Sequence, residues 1–396
     1  MRVAIIDPSL FTWPYDRRLA ASLRSAGHEV TIVGRVVRPS EQGAGDPLLV
    51  QHFYPRIARL REGALPRRLV RLAKGVGHAG AMVRLTRWLE SWRPDVIHFQ
   101  WLPLPIVDRL FIPRLKRIAP VVLTVHDSNP FNGEAGTAVQ RAGVGAALAL
   151  FDHIVVHNRR AAERLSDLGV PPGRISTIAH GLLSDDAAPP PPAPPPAPSA
   201  SPRRAAEADG EAPVFLQFGK IKGYKGVDVL IRAVSLMPPE VRRRCRFEVV
   251  GEPHLDPRPL LELARGLGVG DAIAFDLRFV SDDEMLGHFG RAAAAVFPYR
   301  EIDTSGVLMV ALAAGVPIVA SAVGGFAEML EDGRKALLVP PGDERALAGA
   351  LTRLATDPGL RAAMRAEVVA LAAAVPTWED IAAATASVYT GLLAPG

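Results

Sequence analysis

The chain has 396 residues, 48% of them hydrophobic and 22% charged, and a net charge of +5 at neutral pH. That length is too great for one ordinary core and suits two domains of roughly 150–200 residues, and the composition excludes a disordered chain. The single cysteine, Cys245, excludes an intrachain disulfide framework.

The opening Met-Arg-Val-Ala-Ile-Ile-Asp is too short an apolar run for a secretory signal. No stretch approaches the roughly 20 clean apolar residues of a membrane span. A cytoplasmic protein is expected.

In chain order, Val3–Ile6 reads as a buried strand, Arg17–Ala26 as a helix stopped by Gly27, and Glu29–Val33 as the next strand. Ten basic residues then fall between Arg56 and Arg93, opposed only by Glu62 and Glu90, with Leu65, Leu69, Val70 and Leu72 interleaved. Such a segment suits the surface of an anionic membrane, and equally the solvated face of ordinary helices. Aromatic residues are not interleaved as stacking on bases would need, so no nucleic-acid partner is expected. Val96–Phe99, Val121–Val125, His153–Val156 and Ile175–Ile178 read as further strands. Short β-branched runs separated by helices point to a parallel sheet covered on both faces.

Ala187–Pro202 is a Pro/Ala tract that cannot bury a core. With the polar residues after it, it reads as a linker over 186–212, although a surface insertion within one domain fits the same residues. Beyond it the alternation restarts. Strands are expected at Val214–Phe218, Phe247–Val250, Ile273–Phe275, Ala294–Phe297 and Ile318–Ala320, and helices at Val227–Ser235, Leu260–Leu267, Asp283–Arg291 and Val307–Ala314. The fold class is α/β, with two doubly wound Rossmann-like halves (1–185 and 213–375) expected to face each other across a ligand cleft.

Three segments carry chemistry. Gly219-Lys220-Ile221-Lys222-Gly223-Tyr224-Lys225-Gly226 lies between a strand and a helix, where glycines let a backbone come close and Lys220 and Lys225 can aim at one anion. A solvated basic turn is the plain alternative. In Pro298–Val307, Ser305, Gly306 and Val307 stand at a helix start, which offers unpaired N–H groups to phosphate oxygens; Thr304 or Ser305 can also simply cap that helix. Ser321–Glu328 places Gly324 and Gly325 after a strand, with Glu328 close behind, where it can equally be a first-turn carboxylate favoured by the helix dipole.

In order and spacing these three segments resemble glycosyltransferase family 4. The N-terminal half agrees, with Gly27-His28-Glu29-Val30, Pro94-Asp95-Val96-Ile97-His98 and Thr124-Val125-His126-Asp127, and Trp378–Tyr389 resembles the family's last helix. The resemblance implies the GT-B fold, with 376–396 crossing back to the N-terminal, acceptor-side domain and 213–375 binding the nucleotide sugar. It implies that Lys220 and Lys225 contact the donor diphosphate together with Gly219 and the amides at Ser305, Gly306 and Val307. His126 then lies near the transferred sugar, and the backbone of Phe279 and Val280 meets the base. Many family members carry two glutamates seven residues apart; here those positions are Ile302 and Val310. Glu301 and Asp303 flank the first and can supply a carboxylate. Nothing replaces the second, as in a family subgroup that lacks it. The bulky loop from Asp7 to Asp16 should face the acceptor, with Tyr15 and Asp16 as candidates, although Asp16 can instead cap the following helix.

The implied activity is a retaining, metal-independent glycosyl transfer from a nucleotide-diphosphate sugar to a glycan, lipid-linked or small-molecule acceptor. No cofactor is implied, and the place of action is cytoplasmic or peripheral at the inner face of the membrane. The alternatives are a GT-B nucleotide-sugar epimerase and a non-catalytic nucleotide-sugar-binding or scaffold protein.

Overall fold

The computed structural model describes residues 1–37, 43–54, 67–127, 143–183 and 212–394, with main chain alone for 67–76. The linker expected at 186–212 lies, but for its last residue, outside these. Of the basic segment 56–93, residues 56–66 lie outside them too, and only Arg84, Arg87 and Arg93 have described side chains, all exposed.

The chain divides into two compact units, the first running to Gly181 and regaining the segment from Pro376, the second running from Leu182 to Val375. The first holds seven strands: β1 (Arg2–Asp7), β2 (Glu29–Arg35), β3 (Leu49–Phe53), β4 (Val96–Phe99), β5 (Val121–Val125), β6 (His153–Val156) and β7 (Ile175–Thr177). All pair in parallel in the order β3-β2-β1-β4-β5-β6-β7. The second holds β8 (Val214–Phe218), β9 (Arg246–Val250), β10 (Ile273–Asp276), β11 (Ala294–Phe297), β12 (Ile318–Ser321) and β13 (Leu337–Val339), parallel in the order β10-β9-β8-β11-β12-β13.

Both are doubly wound sheets, and the alternation of side chains shows why. In β1, Val3 and Ile5 enter one core with Leu19, Leu23 and Tyr389, while Ala4 and Ile6 enter the other with Leu85, Phe99 and Phe151. Likewise Ala294 and Val296 of β11 face one core of the second unit, and Ala295 and Phe297 the other. Strands apolar on both faces can only be satisfied by layers on both sides.

The edge strands β3 and β13 were not expected. An edge strand is only partly covered, so β3 carries Gln51 and His52 and β13 is three residues long. The first helix, Trp13–Ser25, begins four residues before the expected Arg17, because Pro14 suits a first turn.

The stretch Pro358–Leu393 is long and apolar enough to cross a membrane by length and composition, contrary to expectation. It is two helices, Pro358–Ala374 and Trp378–Leu393. The first buries Met364 and Val368 in the second unit, and the second buries Ile381, Ala382, Thr385 and Tyr389 in the first.

Tyr389 does more than fill space. Its hydroxyl meets His98 Nδ1 at 2.5 Å, and His98 Nε2 meets the Thr124 hydroxyl at 2.7 Å, all buried. Burial pushes His98 down to about 3, so the ring is neutral and needs both partners. Tyr389→Phe leaves one nitrogen unsatisfied and should cost about 1–3 kcal/mol, measured by urea unfolding; an unchanged midpoint would show that the bond carries no weight.

Candidate functional site

In open parallel sheets, ligands bind where strand order reverses, at the carboxyl ends of the strands. In the second unit that point lies between β8 and β11. The chain leaves β8 through Gly219, whose amide donates to the Val250 carbonyl at 2.9 Å. Lys220 is exposed and Lys222 buried. A single 3-10 turn, Gly223–Lys225, then folds Lys225 back toward the strand end. A methyl group on Gly219 would lie 2.7 Å from Lys225 Nζ and 3.0 Å from the Val307 side chain. Gly219 has φ of +105°, which strains any other residue there, whereas the flexible Lys225 end could move aside for a methyl group.

Lys225 is 6% exposed, and its Nζ lies 5.2 Å from the centroid of the Tyr299 ring. Among the described residues no carboxylate pairs with it. Burial, with Lys222 and Lys220 adding repulsion, lowers its pKa to about 7. Among the described residues, two further polar groups at these strand ends are buried without a hydrogen-bond partner: Gln217 Oε1 on β8 and the Tyr299 hydroxyl just after β11. Gln217 spends its amide nitrogen on the Lys225 carbonyl, at 2.8 Å. A buried cation without a counter-charge beside orphaned polar atoms is an arrangement that an anion completes.

The loop after β11 is fixed to this turn. The Arg300 amide donates to the Tyr224 carbonyl at 2.8 Å, and its guanidinium grips Asp228 at 2.6 and 3.0 Å. Ser305 caps the helix Gly306–Ala313, its hydroxyl accepting from the Leu308 amide at 3.3 Å. The amides of Gly306 and Val307 precede the first intrahelical bonds and stay available. Gly324 is pressed on the same loop: a methyl group there would lie 1.5 Å from the Ile302 carbonyl oxygen, and the Gly325 amide donates to the Asp303 carbonyl at 3.2 Å. Gly324 therefore makes room first for the chain's own backbone.

The structure thus gathers Gly219, Lys225, Ser305, Gly306, Val307, Gly324 and Gly325 on loops that touch one another. Asp303 is buried, Glu301 half-buried and Glu328 exposed. Ile302 and Val310, at the positions where many family members carry glutamate, are both in the apolar core. Phe279 is 60% exposed, with its carbonyl accepting from Arg278, and Val280 packs against the core. Tyr299 and Gln217 escaped the sequence reading. The signal was there: a glutamine inside the otherwise apolar Val-Phe-Leu-Gln-Phe strand.

In the first unit four strands end alike. Gln100, His126 and His157 directly follow β4, β5 and β6, and His180 lies just beyond β7. They converge. His157 Nδ1 donates to the Ile178 carbonyl at 3.0 Å, His157 Nε2 meets His126 Nδ1 at 3.0 Å, and His126 Nε2 meets the Gln100 amide at 3.0 Å. Burial is the first cause that lowers all three histidines, His157 to about 3, His180 to about 4 and His126 well below its usual range. With neutral rings, His157 Nε2 accepts from His126 Nδ1, so His126 Nε2 must accept in turn. That calls for the Gln100 side-chain nitrogen opposite His126 Nε2, the reverse of the amide orientation in the structure, which turns Oε1 there. Both nitrogens of His126 are engaged inside its own unit.

Tyr15 sits among these rings, with centroids 4.9 Å from His126, 5.2 Å from His157, 5.0 Å from His180 and 5.1 Å from Trp378. It is 2% exposed and Asp16 is fully buried, so neither presents itself at the surface as an acceptor contact. Nor does Asp16 cap the helix: the N-cap is Thr12, whose hydroxyl lies 3.1 Å from Asp16 and 3.2 Å from Asp7. Burial raises both carboxyls, Asp16 the further because of the charge on Asp7.

Two family models match the chain: "Glycosyltransferase Family 4" over residues 15–183 and "Glycosyl transferases group 1" over 212–357. A D-inositol 3-phosphate glycosyltransferase of Kribbella flavida is 30% identical over 346 residues, covering 83% of this chain and 77% of that one. One of Acidothermus cellulolyticus is 28% identical over 399 residues, covering 96% and 85%. Among solved structures, sucrose-phosphate synthase from Thermosynechococcus elongatus aligns with TM-score 0.73 at 18% identity over 99% of both chains. Anabaena HepE in complex with UDP and glucose aligns with TM-score 0.73 at 15% identity, over 99% of this chain and 100% of that one.

Because Lys225 titrates near 7 when folded and near 10.5 when unfolded, the unfolded chain binds more protons between those values. Stability should therefore rise with pH through that window. Relative to Lys225→Met, the wild type should gain about 2 kcal/mol between pH 7 and 8.5 in urea unfolding. Parallel pH profiles would refute the depressed lysine.

Proposed function

The chain belongs to glycosyltransferase family 4, and from that premise we propose that it moves a sugar, with retention at the anomeric carbon, from a nucleoside-diphosphate sugar bound at the strand ends of the second unit. The fold is GT-B, and the activity is that of a glycosyltransferase. The observation that carries the donor assignment is Lys225: a buried amine that no described carboxylate pairs with, packed with Val307 of the Gly306 helix start around Gly219. HepE, of the same fold, was captured with UDP-glucose, which supports a nucleotide sugar as donor here.

When the glycosidic C–O bond breaks, the electron pair goes to the diphosphate and positive charge grows on the sugar ring. Groups fixed against the diphosphate stabilise that state more than the ground state. Lys225 and Lys220 would supply two positive charges and the helix start two aligned donors, so the leaving group needs no metal. An anion beside Lys225 also restores its charge, because a neighbouring negative charge favours the ammonium form. Glu301 and Asp303 are the carboxylates on this loop that can meet sugar hydroxyls, with Glu328 beyond them. His126, neutral and held at both nitrogens, would orient the sugar as a fixed surface rather than carry a proton. The acceptor oxygen would attack from the face that the diphosphate leaves, losing its proton to a diphosphate oxygen.

The Lys220→Ala, Lys225→Ala double variant should keep its fold and lose on the order of 100-fold or more in turnover, as when oxyanion donors are lost. Thermal shift against UDP, GDP and ADP should show stabilisation of the wild type by one of them and none in the variant. The anomeric configuration of the product, read by proton NMR, tests retention. A folded double variant that turns over normally would remove the phosphate site.

A further inference from the structure

Tyr299 stands just beyond β11, and its ring lies where the three chemistry-bearing segments of the second unit meet. Tyr224, from the turn after β8, meets it edge-on, with centroids 5.8 Å apart and planes at 86°. Phe326, from the Gly324–Met329 helix, lies 5.4 Å away at 38°, and Phe297 of β11 lies 5.6 Å away at 81°. The ring is fully buried. Close packing among three aromatic neighbours leaves it one position.

Lys225 Nζ lies over this ring, 5.2 Å from its centroid, within the range of a cation–π contact. The main chain of Lys225 is held separately, by the Gln217 side-chain nitrogen on its carbonyl at 2.8 Å. The two anchors divide the work: Gln217 fixes the turn, and the ring fixes the amine. In that place Nζ is the nearest atom that a methyl group on Gly219 would meet, with the Val307 side chain next. The Tyr299 hydroxyl takes no part. Ser305 approaches it, yet it is buried without a hydrogen-bond partner among the described residues. What the residue offers Lys225 is therefore its face, whose negative quadrupole favours an ammonium over a neutral amine. That opposes the burial that lowers this amine to about 7.

We propose that Tyr299 is a positioning residue of the donor site: its π face seats the Lys225 amine beside the Gly306 helix start and favours the charged form, so that a diphosphate meets a cation already in place. The idea rests on the donor reading above and adds the residue on which Lys225 depends.

The test compares Tyr299→Phe with a protein carrying pentafluorophenylalanine at position 299, a ring of nearly the same shape whose fluorines reverse the charge of the face. Lys225 is followed by NMR with 13C-labelled lysine, its signal identified by its loss in Lys225→Met. Tyr299→Phe should keep the titration near 7, and the fluorinated ring should lower it by about one pH unit. Binding of UDP-glucose, GDP-glucose and ADP-glucose is then measured by calorimetry at pH 6 and 8. For the one that binds, the fluorinated protein should be about twofold weaker than Tyr299→Phe at pH 6 and about tenfold weaker at pH 8, as a lower amine pKa requires. A ring that only fills space would change both alike. If the fluorinated protein fails to fold, Tyr299→Met, which keeps bulk without the aromatic face, takes its place in both measurements. A Lys225 titration that ignores the loss of the face, or moves up toward 10.5, overturns the proposal. If the wild type binds none of the three sugar nucleotides while Lys225 still follows the ring, the donor reading falls and the seat stands. Binding with an indifferent lysine removes the seat alone.

Discussion

The second unit is organised around one electrostatic demand: the Lys225 amine is held out of water, and among the described residues no carboxylate meets it. Everything nearby serves that placement. Gly219 gives it room, the Tyr299 ring lies under it, and the Arg300–Asp228 pair ties its turn to the loop that starts the Gly306–Ala313 helix. An empty site of this kind costs stability. A bound diphosphate would return it, so recognition and folding draw on the same group.

The first unit solves the opposite problem. Its strand ends also converge on polar side chains, but there the histidines are matched among themselves, nitrogen to nitrogen, with a carbonyl at one end. Tyr389, His98, Gln100, His126 and His157 form a connected buried chain. In such a network each proton position is dictated by the next one along. A ring so constrained is rigid and a poor proton carrier, which suits a surface that positions a substrate. The two units share a sheet plan and differ in what they leave unsatisfied.

Much of this was legible in the sequence, for identifiable reasons. Central parallel strands are apolar on both faces, so β1, β4, β5, β8 and β11 appear as short, mostly apolar runs between turn signals. The Gly219–Gly226 turn was visible because its lysines and glycines are adjacent in the chain. The histidine network was not, because Gln100, His126, His157 and His180 come from four strands and meet only when those strands are laid side by side. Of the four edge strands, β7 and β10 were read and β3 and β13 were not; in β3, Gln51 and His52 break the apolar run. Tyr15 and Asp16 were placed toward the acceptor because a loop position says nothing of direction: their side chains turn inward, and Phe11 turns out.

The bond between Tyr389 and His98 joins residues 291 positions apart, and the whole second unit lies between them. The first unit is therefore the interrupted one, and the second is inserted into it. During synthesis the inserted unit has all its residues by Val375, while the earlier-made sheet must wait for the Trp378–Leu393 helix to cover its exposed face. Closing so long a loop is entropically easier once the intervening chain has already folded. The order of folding should thus run against the order of translation, and the half made first would be the last to become solid.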